Sequence, residues 1–330
     1  MSTTTVRRRW HAAAALVVTA SLALSACARE DDGGSSDSAS ATHEVEDYFG
    51  TVELPVDPQR VVAGDGATLG NLFALGVKPV AAAANANSLP HHLAEQMDGV
   101  VDVRQGDDVN WEKVLELGPD LFITFAGSED DAWNKELYDA ATATGVPTFG
   151  YLYNYVHLEQ IEHNFTETAR AVGKEDVATE RLEALHDRIA ELAERVEQAG
   201  LGDVPVSVLR VGEDGFRSIR IGTSESIAFR ALGIAQPEGQ TDPEQFSIDI
   251  SEENLDLLDS AHTLFVYEDD TGVGELDEVE SSPLWEGLPA VQAGRVHQVS
   301  SGVWNSIDIT GFELILDDIE EYFIAPAEAG

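Results

Sequence analysis

Cysteine is almost missing: Cys27 is the only one in 330 residues. That excludes a disulfide framework and leaves no thiol nucleophile in the body of the chain. Basic residues are scarce as well, with 19 Lys and Arg against 61 Asp and Glu and a formal net charge of −42. Nucleic acid and anionic lipid surfaces are therefore not expected partners. The acids are spread along the chain instead of gathered in blocks, as on a solvated surface. His91-His92 is the only adjacent histidine pair, and sequence neighbours usually point apart. A metal site of three or four converging ligands is not expected, nor is a cofactor of the protein's own. Two marks of exported hydrolases, G-x-S-x-G and H-E-x-x-H, are absent. A Ser-His-Asp set can still assemble from distant positions, so an exported hydrolase stays open as the alternative from another class, with no enzymatic activity as the expectation.

What the first residues carry is an export signal. Arg7, Arg8 and Arg9 precede a run from His11 to Ala23 that is mostly Ala, Leu and Val. This run falls short of the ~20 residues that span a bilayer and suits the core of a signal peptide. Leu24-Ser25-Ala26-Cys27 resembles the lipobox of bacterial lipoproteins, in which the chain is cut just before an acylated cysteine. Residues 1–26 are thus expected to be removed and Cys27 lipidated, holding the protein on the extracytoplasmic face of the cell membrane without spanning it. Losing three arginines takes the net charge from −42 to −45. Residues 27–47 are nearly free of large apolar side chains and rich in Ser, Gly, Asp and Glu, which predicts a flexible tether and a folded body from Tyr48.

Within the body, buried strands and helices alternate. Val61–Ala63 is a short apolar strand and Ala67–Leu75 a helix; Val77–Ala84 is a second strand. Asn110–Leu117 is a helix that stops at Gly118-Pro119, LFITFA (121–126) a buried strand, Trp133–Thr144 a helix, and VPTFGYLY (146–153) a further strand. Short connections between alternating elements predict a doubly wound, mainly parallel sheet over residues 48–156. From His157 to Ala199 the apolar residues fall at spacings of 3 and 4, with a break at Gly173. The second part, about 24 residues, would run ~36 Å. Alternation then resumes over 201–330, with a hairpin VPVSVLRV/FRSIRIG, a helix Ser224–Leu232 ended by Gly233, a helix Ser251–Leu258, the strand HTLFVY, a last strand Arg295–Val299 and a closing helix Gly311–Tyr322. The expected fold is two doubly wound α/β lobes joined by a long rigid helix in region 157–200.

Gly64, Gly66 and Gly70 imitate a dinucleotide-binding turn. No acid stands at the end of the second strand to hold a ribose, where Asn85-Ala86-Asn87 follows, and Gly70 is one residue late. Gly64 and Gly66 are assigned to a tight turn at the mouth of a strand. That mouth is where open α/β sheets bind ligands.

RVVAGDGATLGNLFALGVKPVA resembles the opening of the substrate-binding proteins that serve iron-siderophore, heme and cobalamin ABC importers. NWEKVLELGPDLFI, ISEENLDLLDSAHTLFV, SPLWEGLPAVQAGRVHQV and GFELILDDIEEY agree with it in order, from Val52 to Tyr322. The resemblance implies two lobes bridged by a rigid helix, a ligand in the cleft between them, and docking on a membrane permease through one glutamate per lobe. The matching positions are Glu112 in NWEK and Glu253 in SEEN. First-turn acids of a helix are also favoured by its dipole, so the pairing by motif carries the assignment.

A ferric siderophore presents oxygens and bulk, so its receptor needs donors, cations and aromatic walls. Candidates are Arg104, Tyr151 and Tyr153 on the first lobe and Arg210, Arg217, Arg220 and Trp304 on the second. Trp304 is either a cleft wall or a packing anchor, and Arg210 and Arg220 face the alternative of pairing with nearby acids such as Glu213 or Asp214. A chain this acidic suits a neutral or cationic hydroxamate complex better than an anionic catecholate. Heme or cobalamin is the alternative ligand, with His92 or His157 as an axial group. The expected partners are a ferric siderophore and an ABC permease, and the expected state is a monomer.

Overall fold

The computed structural model describes residues 41–84, 89–106, 108–127, 134–152, 157–213, 217–269 and 275–329; Cys27 and Tyr153 lie outside them. The ordered body begins earlier than the composition suggests. Strand β1 (Thr42–Asp47) pairs antiparallel with β2 (Gly50–Pro55), so residues 42–47 are not tether. Only Val45 of β1 is buried. What fixes the strand is its end: Asp47 accepts hydrogen bonds from the Tyr138 hydroxyl at 2.8 Å and from the Gly150 N–H at 3.1 Å. These partners lie about a hundred residues downstream, beyond the reach of a local pattern.

The first lobe follows. Strand β3 (Val61–Ala63) leads into helix α1 (Gly66–Ala74), β4 (Ala81–Ala82), the turn α2 (His91–Ala94), β5 (Val101–Asp102), a small hairpin of β6 (Arg104–Gln105) and β7 (Asp108–Val109), α3 (Trp111–Glu116), β8 (Leu121–Gly127), α4 (Lys135–Ala143) and β9 (Thr148–Leu152). The sheet order is β5-β4-β3-β8-β9, every neighbour parallel. Apolar residues on both strand faces need cover on both sides, as parallel sheets do. Val61, Ala63, Leu121, Ile123 and Phe149 face one core, while Val62, Ala81 and Phe122 face Val114 and Ala141 on the other side. Of the expected second strand, β4 keeps Ala81 and Ala82, with the Val80 and Ala83 N–H groups donating to the Val61 and Ala63 carbonyls at 2.8 Å.

Helix α5 (Leu158–Ala171) and helix α6 (Glu175–Gln198) then run on either side of Gly173. The 24 residues of α6 match the length expected of the bridging helix. In the second lobe β10 (Val206–Val211) pairs antiparallel with β11 (Arg217–Arg220); α7 (Ser224–Leu232) ends at Gly233, as expected. Strand β12 (Ser247–Asp249) adds antiparallel to β11; β13 (Thr263–Glu268) adds parallel to β10, and β14 (Val296–Gln298) parallel to β13. The sheet β12-β11-β10-β13-β14 is therefore mixed, with β10 at its centre and β12 and β14 at its edges. Residues 252–258 form a 3₁₀ turn instead of an α-helix. Short turns α8 (Glu275–Glu280), α9 (Pro283–Gly287), α10 (Pro289–Gln292) and α11 (Ser301–Trp304) precede the closing helix α12 (Ile309–Ile319), a π turn at 320–324 and α13 (Ala325–Ala329).

The two sheets share one apolar core. It takes Val61, Ile123 and Phe149 from the first sheet and Val206, Val208 and Phe265 from the second. Between them lie Phe165 of α5, Leu185, Leu192 and Val196 of α6, Ile227 and Phe229 of α7, and Phe312, Ile315 and Leu316 of α12. The long helix is thus not a bare strut; α12 packs beside it and touches elements of both lobes. Three arginines of α6 clasp the C-terminal segment: Arg181 pairs with Glu313, Arg188 with Glu320, and Arg195 with Glu320 and Glu328. Pairs as exposed as these are screened by water and add little, so burial carries the stability. With one core for both sheets, Leu192→Ala should lower stability by about 2–5 kcal/mol. The unfolding transition should remain single and cooperative in denaturant titrations; two separable transitions would contradict a common core.

Candidate functional site

A cavity of about 650 Å³ opens between the two lobes. From the first lobe it is lined by Gly64, Asp65 and Gly66 after β3, Ala83 after β4, Arg104, and Phe125 near the end of β8. From the second come Arg210 of β10, Asp269 after β13, and the segment Asn305–Asp308 before α12. These are the carboxyl ends of the central strands, the place an α/β sheet offers to a ligand. The volume lies within the ~300–1,000 Å³ of small-molecule sites.

The glycines at this mouth act by size. A Cβ on Gly64 would meet Thr124 Cβ at 2.7 Å and the Phe122 ring at 2.8 Å, and one on Gly70 would meet Asp308 Cγ at 2.4 Å. Gly70 is what lets α1 lie against the start of α12. Gly66 has open space around it, so the tight-turn expectation does not explain that position.

Two aspartates on the cavity wall cap helices. Asp65 accepts from the Thr68 N–H and hydroxyl, both at 2.7 Å, and from the Phe125 N–H at 3.0 Å, which ties α1 to β8. Burial outweighs these bonds and pushes its pKa up. Asp308 caps α12 through the Thr310 and Gly311 N–H groups, both at 3.0 Å, and also accepts from the Ser306 hydroxyl. His92 Nε2 of α2 approaches it at 3.4 Å. Burial by itself would raise the Asp308 pKa, but His92, Ser306 and the Gly311 N–H together hold it below the ordinary 3.8.

The arginines expected in the sequence separate into distinct environments. Arg104 is exposed at the rim and also borders a first-lobe depression of about 850 Å³ walled by Trp111. Arg210 lines the cavity bound to Asp269, its Nε at 2.9 Å from both carboxylate oxygens and Nη2 at 2.6 Å from one. That bond raises the Arg210 pKa further above its usual range. Arg220 is 4% exposed, lies 4.2 Å over the Phe246 ring and is 3.7 Å from Glu225. Among the described residues Asp269 lies beside Arg210 and Glu225 beside Arg220; Asp214, one of the acids expected there, lies outside the described residues. Glu225 is itself 1% exposed and lies 3.2 Å from the Tyr267 hydroxyl, whose single proton is shared between it and the Asn305 side-chain oxygen on the cavity wall at 3.0 Å. Arg217 is half-buried and outside the cavity lining.

Both aromatic candidates that can be placed are core residues. Tyr151 is 1% exposed, its hydroxyl 3.0 Å from Thr68 Oγ1, and it does not reach the cavity. Trp304 is fully buried, stacked 4.6 Å from Phe265, with its ring N–H donating to Asp318 at 2.6 Å. It is a packing anchor between β13 and α12 and not a cleft wall. His92 is half-buried beside Asp308, and His157 is an exposed residue at the start of α5; neither lines the cavity. Glu112, in the first turn of α3, and Glu253, in the 3₁₀ turn of the second lobe, are both exposed, one on each lobe. No cluster of three or more metal-ligating side chains occurs among the described residues, and no helix there is long and apolar enough to cross a membrane.

Comparison with known proteins places this geometry in context. A family model described as periplasmic binding protein matches residues 61–301. The probable siderophore-binding lipoprotein YfiY of Bacillus subtilis is 29% identical over 304 residues, covering 87% of this chain and 89% of that one. The iron(3+)-hydroxamate-binding protein FhuD of the same organism is 29% identical over 256 residues, 76% of each chain. Among solved structures, SirA of Staphylococcus aureus complexed with staphyloferrin B superposes with a TM-score of 0.70 at 23% identity, covering 85% of this chain and 98% of that one.

Asp308 gives a test of the wall. Because its folded pKa is depressed, its charge stabilises the fold above pH 3.8, and that contribution fades as pH falls through the lower folded value. Asp308→Asn keeps a capping side chain and should cost about 1–3 kcal/mol at neutral pH. Thermal melts of the two proteins should converge as the medium is acidified below pH 3.8; a constant gap would contradict the assignment.

Proposed function

The chain belongs to the periplasmic binding protein family, and we propose that it is the extracytoplasmic, lipid-anchored receptor of an ABC importer, binding a ferric siderophore of the hydroxamate type. The observation that carries this reading is the cavity of about 650 Å³ at the strand ends between two lobes, with guanidinium donors from both sides, Arg104 and Arg210. Relatives named for siderophore and ferric-hydroxamate binding match over most of their length. A hydroxamate complex suits a wall whose charged residues are three aspartates and two arginines, within a chain of net charge −42. The iron belongs to the bound chelate and is cargo. Residues 48–156 and 201–330 would be the functional lobes and 157–200 the helical bridge, with Cys27 as the lipid attachment and Tyr153 as a further first-lobe contact. Glu112 and Glu253, one on each lobe and both exposed, would meet cationic residues on the permease and set its register.

Fluorescence titration with ferric hydroxamates, ferric catecholates, heme and cobalamin should show tight saturable quenching by hydroxamates. Tight binding of catecholates alone, or a Soret or corrin band in the purified protein, would overturn the ligand class. In cells, Cys27→Ala should leave the membrane fraction. Glu112→Ala combined with Glu253→Ala should abolish chelate uptake with binding intact; undiminished uptake would remove both glutamates from docking.

A further inference from the structure

The cation that the second lobe presents to the cavity arrives already compensated. Arg210 stands on β10 opposite Tyr267 of β13, and Asp269 follows β13 directly. The Asp269 N–H donates to the Val211 carbonyl at 2.8 Å, carrying the ladder one step past the strand. The aspartate backbone is therefore fixed, and its carboxylate meets the guanidinium edge-on through Nε and Nη2 at 2.6–2.9 Å. Such a pair is oriented by two bonds rather than by charge alone. Both side chains line the cavity and are largely shielded from water, which strengthens the pair relative to an exposed one.

The arrangement repeats deeper in the same lobe. Arg220, buried under Phe246, has Glu225 at 3.7 Å, and Glu225 is held by the Tyr267 hydroxyl. The other carboxylates on the wall, Asp65 and Asp308, add negative charge, and Arg104 is exposed at the rim. A chelate carrying several negative charges would have to displace Asp269 from Arg210 or approach the pair uncompensated. Either costs free energy that a neutral or cationic chelate does not meet.

We propose that Asp269 determines the charge selectivity of the cleft: by holding Arg210 it keeps a rigid guanidinium in the wall without net positive charge, and so rejects anionic ferric chelates. This rests on the receptor reading above and names the residue that restricts its ligand class.

The purified full-length protein is titrated with a neutral ferric trihydroxamate and a trianionic ferric triscatecholate, in the wild type, in Asp269→Asn and in Asp269→Asn with Arg210→Gln. The wild type should prefer the neutral chelate. Asp269→Asn should raise the ratio of anionic to neutral affinity on the order of tenfold, and adding Arg210→Gln should cancel that rise. Asp269→Ser removes the charge by a second route and must move the ratio in the same direction. Thermal melts identify any variant that does not fold. An unchanged ratio in Asp269→Asn, a rise that survives Arg210→Gln, or a wild type that prefers the trianion overturns the proposal. A wild type that binds neither chelate overturns the siderophore reading itself, and the proposal with it.

Discussion

Everything in the molecule depends on apolar contact that runs without interruption from one sheet to the other. Two lobes joined only by a helix could swing. Here Leu185, Leu192 and Val196 of α6 and Phe312, Ile315 and Leu316 of α12 belong to the same core as Phe149 of one sheet and Phe265 of the other. Relative motion of the lobes would have to shear close-packed side chains, which interiors resist. The cleft is consequently a fixed feature, and its walls can be built from elements of both lobes.

The cleft residues show how capping, packing and ligand access are met by the same groups. Asp65 and Asp308 each satisfy the orphan N–H groups of a helix while forming cavity wall. The two helices they cap, α1 and α12, lie against one another at Gly70, where no side chain larger than hydrogen fits against Asp308. The geometry of the ligand site is thereby set by helix ends rather than by loops alone. Cations follow a similar economy. In a chain with 19 Lys and Arg, three arginines hold α6 to the C-terminal segment, and Arg210 and Arg220 of the second-lobe strands lie beside acids placed by the fold.

Much of the fold is legible in the sequence where local pattern and burial agree. LFITFA has apolar side chains on both faces and is a central strand; Leu185, Leu192 and Val196 recur at helical spacing and face the core; Gly233 ends α7 in a left-handed conformation. Strand β1 is not legible, because its residues are mostly polar and its anchors, Tyr138 and Gly150, are supplied by tertiary contact. At the site, Arg104 and Arg210 stand out because arginine is rare, and both line the cavity. Asp269 is hidden among 61 acids; the run Glu268-Asp269-Asp270 after the strand HTLFVY marks an acidic strand end without singling it out. Asp308 carries the mark of a helix cap, but nothing local tells that it faces the cleft or meets His92. Trp304 and Tyr151 show the opposite limit: an aromatic near a strand end serves a cleft or a core equally well, and here Phe265 and Thr68 draw them inward.

The meeting of α1 with α12 also bears on how the chain acquires its shape. The Ile309 N–H donates at 3.3 Å to the side chain of Asn71, 238 positions earlier in the chain. Contacts so distant along the chain form late, since the entropy of closing the loop is lost before anything is gained. The first half therefore has no finished apolar cover until the far segment arrives, and the binding crevice is among the last features to be completed. The export proposed above, which threads a chain across a membrane before it folds, would be served by such slow long-range closure.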